Sequence, residues 1–154
     1  MYAGHGLRLS SSVKLSGAVI TDSIMRAFQV DEEEAVRMKE EIGINPEENK
    51  ALFEAIAPSV ADFKEQIQQY IEFYYKSSSH AHGSDAQFGK ILLVGGGARI
   101  RGFDKYLAVS LNLPVEIANP WINILKPPLR ETPELPFEES TRYATALGLG
   151  LGVF

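Results

Sequence analysis

The sequence predicts an α/β fold in which flanking helices surround a small, incomplete sheet. Three observations carry the prediction. The apolar run "KILLV" stops at three glycines, gives way to a helical pattern and is followed by a second short run, "PVEIA"; strand, turn, helix, strand is an α/β arrangement. Most of the first half places apolar residues at steps of three and four, the period of a helix with one buried face. Near the start, "GLRLSSSVKLSG" alternates loosely, as a small hairpin does.

In chain order, the hairpin is expected at Leu7–Leu9 and Val13–Leu15, ending at Gly17. "ITDSIMRAF" is a helix with Ile20, Ile24 and Ala27/Phe28 on one face. "VDEEEAVRMKEEIG" is a second: Asp31 caps it, Glu34 completes a capping box, Ala35, Met38 and Ile42 form the buried stripe, and Gly43 stops it. A longer helical stretch starts at Asn45-Pro46, with Asn45 as cap and Pro46 at the first helical position, and is expected to break or kink at Pro58. Beyond it, Val60, Phe63, Ile67, Tyr70, Ile71 and Tyr74 line one face over roughly five turns. "KSSSHAHGSD" reads as a surface loop, and "RGFDKYLAVSLNL" as a helix with Phe103, Tyr106, Leu107 and Leu111 inward. "NPWINILKPPLRETPELP" is an extended, proline-rich segment, and "FEESTRYATALGLGLGVF" a closing helix.

Composition narrows the function classes. The 154 residues suffice for one domain with its own core, and 45% hydrophobic with 23% charged residues is ordinary for a globular protein. A net charge of −5 without a Lys/Arg run argues against nucleic acid as a partner. With no cysteine there is no disulfide scaffold, thiol nucleophile or Cys-ligated zinc. "MYAGHGLRLSSS" lacks the apolar core of a signal peptide, and "YATALGLGLGVF" is too short and glycine-rich to cross a bilayer.

The glycines of "KILLVGGGARIRGF" invite comparison with phosphate loops. From Gly97, four residues lead to Gly102, but Phe103-Asp104 follows where a Walker loop needs Lys and Ser/Thr. A dinucleotide fingerprint fails at Ile100 counted from Gly95, and at Arg99 counted from Gly97. Two readings remain open. In one, Gly95, Gly96 and Gly97 let a ligand lie against bare backbone, helix-start amides meet an anion and Arg99 stacks on a base. In the other, the glycines make a tight turn with positive φ and Arg99 points into water. Lys39 likewise reads as a solvated helix lysine paired with Glu34 or Glu40. "LGLGLG" reads as a helix whose small face, Gly148 and Gly152, admits another backbone closely. His80 and His82 have only Asp85 nearby, so a metal site is not expected; the acidic run Asp31–Glu34 with Glu40 and Glu41 reads as a solvated face.

Taken in order, these segments resemble the second half of the actin-like ATPase superfamily. "VKLSGAVITDSIMRAF" is similar to its glycine-pair loop and following helix, "EEEAVRMKEEIGI" to its nucleotide-facing helix, "ILLVGGGARIRG" to its adenosine motif and "YATALGLGL" to its closing helix. Within the superfamily the nearest resemblance is to the type IV pilus assembly PilM family, with the cell-division FtsA family next. It rests on the Ala-x-x-x-Lys helix ending in "EEIGI", on "PSVADFKEQIQQYIEFYY" and on "YLAVSLNLPVEIANPW", and it spans Val13 to Leu151.

The resemblance implies a partial actin-like, ribonuclease H-like second lobe over residues 1–154. Residues 18–76 would form part of a smaller helical lobe, and 7–17 with 90–154 a sheet-containing portion. It implies ATP or ADP as ligand: Gly95, Gly96 and Gly97 against ribose and α-phosphate, Arg99 and Lys39 on either side of the adenine, and Gly17 as the second glycine of the phosphate-proximal pair. Three departures stand out. Ser16 replaces the first glycine of that pair, and Val36 replaces the acid that holds the ribose. The Asp-bearing loops that hold Mg²⁺ and the β- and γ-phosphates belong upstream of the hairpin, as does the region contacting PilN-like inner-membrane partners. The expectation is therefore a cytoplasmic pilus-assembly component, at the inner face of the membrane through its partners and open to self-association. It would carry the adenosine side of a cleft, with Mg²⁺ entering only through the missing half, and would not hydrolyse ATP alone. The alternatives are a scaffold that binds no nucleotide and an FtsA-like division protein; the latter is disfavoured because no linker and amphipathic helix follow the closing helix.

Overall fold

Helix ends in this chain are set by individual side chains, and the computed structural model, which describes residues 1–3, 6–13, 16–78, 88–125 and 134–151, shows most of them. Helix α1 (Gly17–Phe28) opens on Ser16, extended, whose Oγ accepts the Val19 amide at 3.3 Å. It closes on Gln29 in the left-handed region at φ 55°. Helix α2 (Glu32–Glu41) opens on Asp31, whose carboxylate accepts the Glu34 amide at 2.9 Å, and three glutamates in its first turn favour the helix dipole. The Glu34 carboxylate, expected to complete a capping box, instead holds Arg37 one turn further on. Gly43, at φ +66°, ends this helix as expected, its amide bonded to the Met38 carbonyl.

Helix α3 (Lys50–Ser78) departs from expectation twice. It starts later: Asn45 caps a turn at Glu47, and Asn49 caps the helix proper through the Leu52 amide at 2.9 Å. It also runs through Pro58 without a break. Pro58 lies on the exposed face, while Ile56 and Val60 on either side are fully buried. Tertiary burial outweighs the local cost of the proline.

Strands β3 (Ile91–Leu93) and β4 (Val115–Ile117) pair in parallel with Ile91 opposite Val115 and Leu93 opposite Ile117, and helix α4 (Phe103–Leu111) is the crossover between them. A separate antiparallel hairpin joins β1 (Tyr2–Ala3) to β2 (Gly6–Leu7). It lies upstream of the expected pair: Leu9 and Val13 are outside any strand, and residues 14–15 are outside the described residues.

One hydrophobic core joins these elements. Ile20 and Ile24 of α1, Leu52, Ile56 and Val60 of α3, Leu93 of β3 and Leu107 of α4 all contribute to it. Phe63 and Phe103, with ring centroids 5.6 Å apart, join α3 to α4. The closing segment is helical as expected but has a 3-10 turn, Thr141–Tyr143, between α5 (Phe137–Ser140) and α6 (Ala144–Leu151). A Cβ at Gly148 would meet nothing within 4 Å, so the expected close backbone approach is not made by the described residues. Gly152, His80, His82 and Asp85 lie outside them. Among the described residues, no helix is long and apolar enough to cross a membrane, and no group of three or more His, Asp or Glu is placed to hold a metal ion.

Candidate functional site

The glycine run leaves β3 in a conformation that side-chain-bearing residues avoid. Gly95 has φ 92° and ψ 179°, which glycine alone adopts at little cost. Its amide donates to the Thr141 carbonyl at 3.0 Å, pinning the turn to the closing segment. Gly96–Arg99 then make one 3-10 turn. A Cβ on Gly97 would meet nothing within 4 Å, and one on Gly96 only the Arg142 Cγ at 4.0 Å. The backbone here is bare on its outer side, so these glycines leave space as well as turn the chain.

Arg99 does not point freely into water. Its guanidinium holds Glu40 of α2 at 3.0 Å, and the other oxygen of Glu40 holds Arg142 at 3.2 Å. Lys39, the residue before Glu40, is not paired with Glu34 or Glu40 in the expected way. Its ammonium donates to Thr21 Oγ1 at 2.8 Å, and that hydroxyl donates to the Gly17 carbonyl at 3.0 Å. A Cβ on Gly17 would sit 3.9 Å from Lys39 Nζ. Of the six residues expected at the site, Gly17 and Lys39 meet at the start of α1, and Gly95, Gly96, Gly97 and Arg99 lie at the strand exit. Glu40, next to Lys39 in α2, bonds Arg99 of the second group.

The electrostatics are lopsided. Two cations, Arg99 and Arg142, bond Glu40, with Lys39 nearby, while Glu32 also acts on Lys39 and Asp104 stands in the adjacent cleft wall. Burial pushes the Lys39 ammonium below its ordinary value; Glu40 and Glu32 oppose the shift, and Arg142 and Arg99 add to it. A half-desolvated lysine beside two guanidinium groups is stabilised by an incoming anion. Beside this cluster lies a cleft of about 380 Å³ whose wall includes Glu40, Ala98, Arg99, Asp104 and Phe137, at the lower end of ordinary ligand pockets.

Three participants escaped the sequence reading. Thr21, buried at 4% exposure, is a polar residue on the apolar Ile20/Ile24 face of α1, and that misfit was the available signal. Glu40 was assigned to a solvated face, yet it stands one turn beyond Val36 and supplies a carboxylate to this side of the cleft. Arg142 gave no signal. Ser16, a departure from the glycine pair, has the separate task of capping α1.

These features define a helix-rich α/β protein with a cleft, walled by Glu40, Arg99 and Asp104 among others, beside a glycine turn. A family model described as type IV pilus assembly protein PilM matches residues 10–154, and the chain belongs to that family. Among solved structures it is similar to a chain of a PilM–PilN type IV pilus biogenesis complex, at 27% identity and a TM-score of 0.68. The match covers 90% of this chain and 37% of that one, so the chain spans little more than a third of that relative's length. No curated protein matches it.

Proposed function

We propose that the chain acts in type IV pilus assembly as the adenosine-side half of an actin-like ATP-binding cleft. The observation that carries this is that Arg99 of the glycine turn bonds Glu40 of α2, while Lys39, the residue before Glu40, reaches Thr21 beside Gly17. Bare backbone at Gly96 and Gly97 accepts a ribose or α-phosphate without displacing a side chain. The apolar stems of Lys39 and Arg99 offer faces to a base, and their charged heads lie near an anion. ATP and ADP are the proposed ligands, bound weakly. Binding rather than hydrolysis is proposed for this chain alone, because phosphoryl transfer also requires a placed metal ion and water, which the resemblance assigns to other loops.

Calorimetric titration with ATP and ADP tests the site, with Arg99→Glu as the control. The expected outcome is measurable heat for the wild type and its loss in the variant; equal heats would overturn the reading. A PilN-like protein is the proposed partner, since the similar solved chain is part of a PilM–PilN complex. One observation favours a scaffold instead: Glu40 already satisfies both arginines, as a purely structural ion cluster would. The same titration separates the two.

A further inference from the structure

Of the two cations assigned to the base, Arg99 stands in the wall of the cleft and Lys39 does not. That wall sets Arg99 and Arg101 against Glu40 and Asp104, so its formal charges balance and it suits an uncharged group better than a phosphate. The backbone of Arg99 is fixed. Ala98 and Ile100 on either side of it are buried, and the Ile100 amide donates to the Gly97 carbonyl at 3.4 Å. Its side chain is the variable part, because a long stem can carry the guanidinium to many places. Glu40, 59 residues away in sequence, holds one terminal nitrogen of that guanidinium at 3.0 Å. The other oxygen of Glu40 accepts from Arg142 at 3.2 Å, so the carboxylate is itself fixed by a residue outside the cleft wall. Such a pair engages the edge of the guanidinium and leaves its face free to stack.

We propose that Glu40 is a positioning residue for the base: it holds Arg99 so that the guanidinium face is already turned to the base before the ligand arrives, and it acts through Arg99 rather than on the ligand. This rests on the nucleotide reading, which supplies the base. An unheld Arg99 would have to give up its side-chain freedom on binding, and that loss would be subtracted from affinity. The ion cluster is then preorganisation of the site, with Arg142 steadying Glu40 and Glu40 steadying Arg99.

The test is a double-mutant cycle read by adenosine binding, followed by amide NMR so that millimolar affinities are measured, with melting curves as a folding check. Adenosine is uncharged, so deleting a carboxylate does not alter its attraction to the site as it would for ADP. The four proteins are wild type, Glu40→Ala, Arg99→Ala and the double variant. Glu40→Ala should bind adenosine about two- to tenfold more weakly than wild type. In the Arg99→Ala background the same change should have no further effect. Unchanged affinity in Glu40→Ala overturns the proposal. So does a loss of the same size in both backgrounds, which a general structural role or direct contact of Glu40 with the ligand would give. Should Glu40→Ala not fold, Glu40→Gln, which keeps the length of the side chain, takes its place in the cycle under the same criteria. Wild type separates this from the parent reading. No adenosine binding by wild type overturns the nucleotide reading and the positioning role with it, whereas adenosine binding that ignores Glu40 overturns the positioning role alone.

Discussion

Gly43→Ala is the substitution with the sharpest structural consequence. Gly43 ends α2 at φ +66°, and a Cβ there would lie 2.1 Å from the Arg101 carbonyl oxygen and 2.6 Å from its Cβ. That carbonyl accepts the Ile44 amide at 2.8 Å, tying the end of α2 to the segment that leads from Arg99 into α4. The left-handed backbone costs an alanine about 1–2 kcal/mol. Relieving the overlap requires the two backbones to separate, losing a hydrogen bond at a buried amide for about 1–3 kcal/mol more. The expected loss is about 2–5 kcal/mol by urea denaturation, or roughly 4–20 °C in Tm for a chain of this size. Gly97→Ala is the matched control: a Cβ there meets nothing within 4 Å, so stability should stay within about 0.5 kcal/mol, while ligand binding against that backbone should fail. A loss below about 1 kcal/mol in Gly43→Ala, or an equal loss in Gly97→Ala, would refute the reasoning.

Three further substitutions probe other links. Thr21→Val removes the oxygen that receives Lys39 and should cost about 1–2 kcal/mol in a denaturant titration; an unchanged midpoint would mean the ammonium is satisfied elsewhere. Pro58→Ala should stabilise the chain by about 1–3 kcal/mol, because α3 is continuous there and alanine restores the missing donor; a destabilised variant would show that the proline shapes the helix. Lys39 gives a pH dependence. Its folded-state value is depressed by burial, so between that value and the ordinary 10.5 the unfolded chain binds more protons and stability rises with pH. Lys39→Met lacks this term, so its stability relative to wild type, measured at pH 7 and again near pH 10, should fall as pH rises; a gap that widens in the variant's favour would contradict the assignment.

Where neighbours in sequence decide a feature, the sequence was legible. Asp31 and Gly43 bound α2 through atoms within five residues, and the strands in "KILLV" and "PVEIA" fall where apolar runs meet turn residues. The failures come from distance. Pro58 obeys a local rule that burial of Ile56 and Val60 overrides. Lys39 reads locally as a partner of Glu34 or Glu40 on its own helix, yet it bonds Thr21 on another helix. Glu40 belongs to an acidic run that reads as solvent-facing, and nothing local reveals two arginines folded onto it from far along the chain. The glycine turn, Lys39 and Arg99 were thus readable as a motif, whereas the pairing of Glu40 with Arg99 and Arg142 exists only in three dimensions.

The central claim is that the glycine turn and the α1–α2 pair face one adenine nucleotide. Backbone amide NMR of the labelled chain during an ADP titration tests it most directly. Saturable shifts should concentrate at Gly17, Gly95, Gly96 and Gly97 and at the amides of Lys39 and Arg99, with residues of the distant α3 C-terminal turn unmoved. Saturable shifts elsewhere, or none at these six residues at millimolar ADP, would contradict it.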